Sequence, residues 1–165
     1  MKRILTATAA LLAFSSVAFE ASAQNRTVVS QWGVDNGAAA VQRGRDNRTV
    51  VDQGGRGHYA RAIQDGRRNY LRMQQGGTRN EAVTEQIGDD NLAVTGQEGR
   101  NLRSGIYQSG YGNVAGVAQI GNGSRAITDQ AGVNNTSAII QVGDNQNANV
   151  TQRGNGNITV VVQGD

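Results

Sequence analysis

Along most of the chain, in segments of about seven residues, positions that hold amide, small or aliphatic side chains alternate with positions of variable character. In Asn113, Ala115, Val117 and Gln119, for example, every second position holds an amide, small or aliphatic side chain. Residues two apart point to the same face of an extended strand. The pattern therefore predicts short β-strands, each with a uniform inner face and a variable outer face exposed to solvent.

These segments recur every eleven residues without insertion or deletion, which is typical of stacked repeats. Each predicted strand of about seven residues ends at a Gln, and an Asn usually stands six residues before it. A Gly in the following turn stands two residues after each of the first twelve Gln. The Gln positions are Gln31, Gln42, Gln53, Gln64, Gln75, Gln86, Gln97, Gln108, Gln119, Gln130, Gln141, Gln152 and Gln163. The turn glycines are Gly33, Gly44, Gly55, Gly66, Gly77, Gly88, Gly99, Gly110, Gly121, Gly132, Gly143 and Gly154. The Asn positions are Asn25, Asn36, Asn47, Asn69, Asn80, Asn91, Asn113, Asn135 and Asn157, and the exceptions are His58, Leu102, Ser124 and Gln146.

Two repeats make one turn of the predicted coil. Asn25–Gln31 and Asn47–Gln53 are nearly the same segment, 22 residues apart. The sequence thus predicts an all-β solenoid of about 13 short strands, two per 22-residue turn, in two facing parallel sheets. Stacked layers about 4.8 Å apart would let the Gln and Asn side chains form hydrogen-bonded ladders. A Gly in every repeat and β-branched runs such as Ile158–Val162 argue against helices.

The first and last strands of such a stack are predicted polymerisation edges, because each has a neighbour on one side only. Their N–H and C=O groups would be free to pair with another chain. The residues assigned to these edges are Val28, Gln31, Ile158, Val160 and Val162. Residues 104–165 contain 2 Arg and 3 acidic residues, against 12 Arg and 9 acidic residues in 24–103. The second part is therefore expected to assemble more readily.

The N-terminus has the features of a secretory signal peptide. Lys2 and Arg3 precede a largely apolar run, Ile4–Phe19, and Ala21–Ala23 forms a small-residue cleavage site. The run is too short for a typical membrane span. The chain is therefore predicted to consist of a signal peptide, residues 1–23, and one solenoid domain, residues 24–165, without a transmembrane segment.

The composition argues against an enzyme. Hydrophobic residues make up 37% of the chain, aromatic residues 4%, and the mean hydropathy is −0.49, which is too little apolar material for an ordinary globular core. The chain has no Cys and one His, and no metal-ligand spacing. We expect no catalytic residue, metal or cofactor. His58 stands in an Asn position and is expected to replace Asn in the ladder. Arginine pairs such as Arg67 and Arg68 could contact nucleic acid or an anionic polysaccharide, but because acidic residues are interleaved with them we expect a solvated face.

The repeated pattern resembles the curlin repeat of bacterial curli fibres. The pattern Q-x-G-x-x-N-x-A-x-x-x-Q is intact in Gln31–Gln42 and recurs with substitutions throughout residues 24–165. The resemblance implies a subunit of an extracellular functional amyloid that serves in biofilm matrix and surface adhesion. It also implies secretion through the periplasm and an outer-membrane pore with accessory factors, and self-association with other curli subunits at the cell surface.

Two questions stay open at the level of sequence. Curli contain a major subunit and a nucleating minor subunit; the uninterrupted spacing and the Arg-rich outer face are somewhat more similar to the nucleator, while the chain has no distinct charged tail. The alternative function is that of a monomeric secreted β-solenoid, either an adhesin or an ice-binding-type surface protein. Ice binding would need a regular outward array of Thr, and a ligand-specific adhesin would need a domain outside the repeats.

Overall fold

Thirteen β-strands follow one another along residues 24–165, the part of the chain that the computed structural model describes. The predicted signal peptide, residues 1–23, lies outside the described residues. The strands are β1 (Arg26–Val34), β2 (Gly37–Arg45), β3 (Arg48–Arg56), β4 (Tyr59–Arg67), β5 (Tyr70–Thr78), β6 (Glu81–Asp89), β7 (Leu92–Arg100), β8 (Arg103–Tyr111), β9 (Val114–Asn122), β10 (Arg125–Val133), β11 (Thr136–Asp144), β12 (Asn147–Asn155) and β13 (Ile158–Gly164).

The strands form two parallel sheets that face each other. The odd-numbered strands make a seven-stranded sheet in the order β1-β3-β5-β7-β9-β11-β13, and the even-numbered strands make a six-stranded sheet from β2 to β12. Each strand pairs with the strand two further along the chain in a register of 22 residues, so that Gln31 lies beside Gln53 and Gln42 beside Gln64. The predicted solenoid with two strands per turn is confirmed.

The core is a thin layer between the inner faces of the two sheets. Its larger members, Leu71, Met73, Ile106 and Ile139, are fully buried, and most other core positions hold Ala, Val, Thr or Ser. Small side chains let the sheets approach closely, so that the interior is filled by short apolar groups and by amides. The inner face is the one predicted from alternating positions, and the intervening strand residues are half-buried or exposed, except Gly105.

The strands are longer than predicted. All but β13 have nine residues, and the predicted turn glycines lie one residue before the end of each of these strands instead of in the turn. Their φ angles range from 89° to 139°, which favours glycine. The difference arises because in-register pairing with the next layer continues past the Gly. Only two residues, for example Asp35 and Asn36, then remain for the bend between strands.

The bends fall into two columns of corners. The odd corners follow odd-numbered strands (residues 33–36, 55–58, 77–80, 99–102, 121–124 and 143–146), and the even corners follow even-numbered strands (44–47, 66–69, 88–91, 110–113, 132–135 and 154–157). The third residue of every corner has the left-handed conformation. In ten corners it is Gly, Asn or Asp, the residues that tolerate this conformation best, and in two it is Arg68 or Arg79.

Candidate functional site

The glutamines form two continuous ladders, one in each sheet. The Nε2 group of each Gln donates to Oε1 of the Gln 22 residues later, over N···O distances of 2.5–2.9 Å in all eleven pairs. Every donation runs toward the C-terminal end of the stack. The ladders therefore have a direction: Oε1 of the first Gln in each ladder accepts from no other Gln, and Nε2 of the last Gln in each ladder donates to no other Gln.

The same amides also join one sheet to the other. Gln53 Nε2 donates to the Gly37 carbonyl at 3.1 Å, and Gln97 Nε2 donates to the Glu81 carbonyl at 3.0 Å. Each pair connects a strand of one sheet with a strand of the facing sheet. Each inner Gln except Gln119 thus uses both of its N–H groups and accepts a hydrogen bond from the layer below, as a buried amide requires.

The even corners contain an uninterrupted Asn ladder. Its members are Asn25, Asn47, Asn69, Asn91, Asn113, Asn135 and Asn157. Each Oδ1 accepts the backbone N–H of the next Asn at 3.0–3.1 Å. Each Nδ2, except that of the last member, also donates to a corner glycine carbonyl, as from Asn69 to Gly88 at 2.7 Å. These bonds close the even corners and hold successive layers in register.

All four exceptions to the Asn pattern lie in the odd corners. His58 Nδ1 accepts the backbone N–H of Asn80 at 3.2 Å while Nε2 contacts the Gly54 carbonyl at 3.1 Å, so the ring replaces Asn in the ladder. Ser124 Oγ likewise accepts the N–H of Gln146 at 3.1 Å. Leu102 is fully buried and has no side-chain acceptor, so it interrupts this ladder. This segregation was not predicted, although the four positions differ by multiples of 22.

The predicted polymerisation edges lie at the two ends of the stack. β1 and β13 are the outer strands of the odd sheet, and β2 and β12 are the outer strands of the even sheet. The side chains of Val28, Ile158, Val160 and Val162 point outward and are 38–75% exposed, whereas Gln31 faces inward and begins its ladder. Within residues 24–165, no strand pairs with the outer edge of any of these four strands.

Two arginines and two aspartates of the even corners are paired across layers. Arg67 and Arg68 bind Asp89 and Asp90 of the next turn, the latter pair with an N···O distance of 2.6 Å. Hydrogen bonds from the two guanidinium groups lower the pKa of Asp89 and Asp90 below its usual range. The expectation that these arginines lie on a solvated face agrees with their exposed side chains.

The lowered pKa values predict a contribution to acid sensitivity. A carboxylate whose pKa is lower in the folded state stabilises that state above its ordinary pKa, and this stabilisation is lost as the pH falls through the lowered value. The urea midpoint of unfolding should therefore fall between about pH 5 and about pH 2, and the double variant Asp89→Asn, Asp90→Asn should show a smaller fall. An equal fall in both proteins would contradict the assignment.

Residues 24–165 hold no group of three or more His, Cys, Asp or Glu side chains placed to bind a metal ion. In the same part of the chain, no helix has the length and apolar character needed to cross a membrane.

The repeat geometry agrees with a comparison against known families. The family model described as the curlin associated repeat matches residues 66–99 and 105–132. The chain therefore contains curlin repeats. The matched stretches cover β5 to β9 in large part and most of β10, and the eleven-residue units on both sides continue the same register. No curated protein matches the chain.

Proposed function

We propose that this curlin-repeat protein is a structural subunit of an extracellular curli-type amyloid fibre and that it polymerises end to end. The observation that carries the proposal is the pair of free edges at each end of the solenoid. They present unpaired backbone groups in the same geometry as the inner layers. A second copy could therefore extend both sheets with the same hydrogen bonds that already join layer to layer.

The distribution of apolar residues supports assembly at the C-terminal end in particular. The outer faces of β9, β11 and β13 carry Ile120, Ile140, Val142, Ile158, Val160 and Val162, which are 40–75% exposed. The central outward positions of these three strands hold no charged residue. Charges that oppose association are thus scarce where a growing fibre would need close contact.

The remaining parts of the proposal concern export and role. Residues 1–23 would direct the chain to the periplasm, and the solenoid domain would leave the cell through an outer-membrane pore with the help of accessory factors. At the surface it would join other curli subunits in biofilm matrix and adhesion, either as the major subunit or as the nucleator. The positive start, apolar run and small-residue cleavage site of the N-terminus support the export step.

Self-assembly of the purified protein tests the proposal directly. A solution of residues 24–165 should form fibres that enhance thioflavin fluorescence after a lag, and aligned fibres should give a meridional reflection near 4.7–4.8 Å. Preformed fibres added as seeds should shorten the lag. A protein that stays monomeric for days in the presence of seeds, with no such reflection, would refute the proposed function and favour a monomeric secreted solenoid.

A deletion strain distinguishes the two possible roles. If the gene is removed and the other fibre protein is shed into the medium as soluble subunits, the protein is the nucleator. If no fibre protein remains to be shed, it is the major subunit.

A further inference from the structure

The odd corners carry a column of arginines in the middle of the solenoid, which we call the arginine ridge. Its members are Arg56, Arg79, Arg100, Arg103 and Arg125. They come from corners and strand starts stacked in consecutive layers, because Arg56 pairs in register with Thr78, Thr78 with Arg100, and Arg103 with Arg125. Arg56 and Arg100 thus share one column, Arg103 and Arg125 share a second, and Arg79 lies in the corner between them. With layers about 4.8 Å apart, the five arginines form a band along the solenoid axis.

Most of the ridge has no counter-charge. Among residues 24–165, only Arg103 has an ion-pair partner, Glu81 at 3.3 Å, while the other four ridge arginines have none. In the even corners, by contrast, Arg67 and Arg68 are both paired with Asp, and only Arg45 has no ion-pair partner among residues 24–165. Acidic residues within the odd corners lie only near the ends of the stack, at Asp35 and Asp144, and Glu81, the partner of Arg103, begins the strand beside the ridge. The ridge is therefore a bounded positive strip on one side of the molecule.

The surface between the arginines is suited to a ligand with hydroxyl groups. A shallow groove there is lined by Arg56, Arg79 and Arg100 together with Thr78, Asn101 and Asn122. Amide and hydroxyl side chains can donate to and accept from sugar hydroxyls, while the planar guanidinium groups match carboxylates. The groove lining contains no aromatic side chain on which a nucleic-acid base could stack.

We propose that the arginine ridge binds a linear polysaccharide that carries carboxylate groups at regular intervals. The chain of the polymer lies along the solenoid axis, its carboxylates contact successive ridge arginines, and its hydroxyls contact the amides between them. The site belongs to a single solenoid and does not depend on fibre formation. In a fibre, the ridge would recur with every subunit, and binding to a long polymer would gain from multivalency.

Binding of polygalacturonate to the purified protein tests this inference, and the two columns of corners provide matched variants. Arg79→Gln with Arg100→Gln removes two charges from the ridge, and Arg67→Gln with Arg68→Gln removes two charges from the even corners. The ridge variant should bind at least roughly tenfold more weakly, and the even-corner variant should stay within about twofold of the unchanged protein. Binding should weaken as salt is raised and should be absent with neutral dextran.

Unfolding midpoints measured on both variants separate loss of binding from loss of fold. The inference is overturned if both variants lose affinity equally, because net charge alone would then explain binding, or if polygalacturonate does not bind. It is also overturned if single-stranded or duplex DNA displaces polygalacturonate at a lower concentration of charged groups. If the ridge is confirmed in a protein that fails to form fibres, only the proposed fibre function falls.

Discussion

Replacement of Gly99 by Ala should largely prevent the solenoid from folding. Gly99 has a φ of 139°, and a Cβ atom added to it would overlap the backbone carbonyl oxygen of Gly121 in the next layer. Gly121 lies in β9, which pairs with β7 at this position. Neither strand can therefore move away without breaking the hydrogen bonds between the two layers. The expected loss of stability exceeds about 4 kcal/mol, well above that of an ordinary substitution. Urea unfolding followed by circular dichroism measures it.

The same strand offers a matched control in Gly96, only three residues away. Its φ lies outside the left-handed region, and a Cβ there would meet no atom within 4 Å. Gly96→Ala should therefore leave stability unchanged or raise it by up to about 1 kcal/mol, because Ala restricts the unfolded chain. Similar losses in the two variants would show that the corner glycines are not required by close layer contact.

The sequence was sufficient to predict the solenoid because its period is visible in single residues. Gln recurs every eleven residues, which is the length of one strand and its bend. The near-identity of Asn25–Gln31 and Asn47–Gln53, 22 residues apart, then indicates two strands per turn. A buried amide is satisfied by an identical amide one layer away, which makes the residue type itself informative about the register. The predicted ladders follow from that property.

Details of the corners could not be predicted in the same way. The Gly and polar residues after each Gln predict a turn that begins directly after the Gln. Polar composition, however, does not show where pairing between layers ends. The structure shows that pairing continues through the residue after Gly33 and leaves a bend of two residues. Left-handed Arg68 and Arg79 also have no sequence signal, because arginine has no intrinsic preference for that conformation.

The arginine ridge was missed for a related reason. Along the chain, acidic residues are interleaved with arginines, and this pattern indicated a mixed, solvated face. In the folded chain the two columns of corners are separate. Arg67 forms an ion pair with Asp89 of the next layer, whereas Arg56 and Arg100 both lie beside Thr78. Comparison of charged residues 22 positions apart would have shown that acids stack on arginines in the even corners but not in the middle odd corners.

The proposed end-to-end assembly implies a definite arrangement of successive subunits. Because the described strands number thirteen, a second copy that continues the lattice must place its β1 on β12 and its β2 on β13. An odd-numbered strand then stacks on an even-numbered one, so each copy is rotated by half a turn about the axis. Stacking β1 on β13 instead would leave one strand position empty in the even sheet.

The end groups fit the rotated arrangement. Gln146 Oε1 is buried and has no hydrogen-bond partner within the described residues. In the rotated copy, the backbone N–H of Asn25 occupies the next position in the same corner column and can donate to it. At the same junction, Gln163 Nε2 comes next to Oε1 of Gln42, which continues the Gln ladder in the direction seen in every inner layer.

Engineered disulfides should identify the junction, since the chain contains no Cys of its own. The rotated arrangement places Val28 of one copy beside Asn149 of the next, whereas the unrotated one places Val28 beside Val160. These residues point outward, and neighbouring strands are close enough for a disulfide. Fibres of the Val28→Cys, Asn149→Cys variant, assembled in reductant and then oxidised, should give a series of covalent oligomers on a non-reducing gel. The Val28→Cys, Val160→Cys variant should stay largely monomeric there.

The two variants share Val28→Cys, so random oxidation would link both to the same extent, and the single variant Val28→Cys measures that background. Within one solenoid, residue 28 lies at the opposite end from residues 149 and 160, which rules out bonds inside a subunit. If fibres form and only the Val160 pair is linked, the subunits stack without rotation. The rotated junction is then wrong, whereas the proposed fibre function is unaffected. If neither pair is linked in fibres with the expected reflection, growth does not proceed through these edges, because continuation of either sheet brings one of the two pairs into contact.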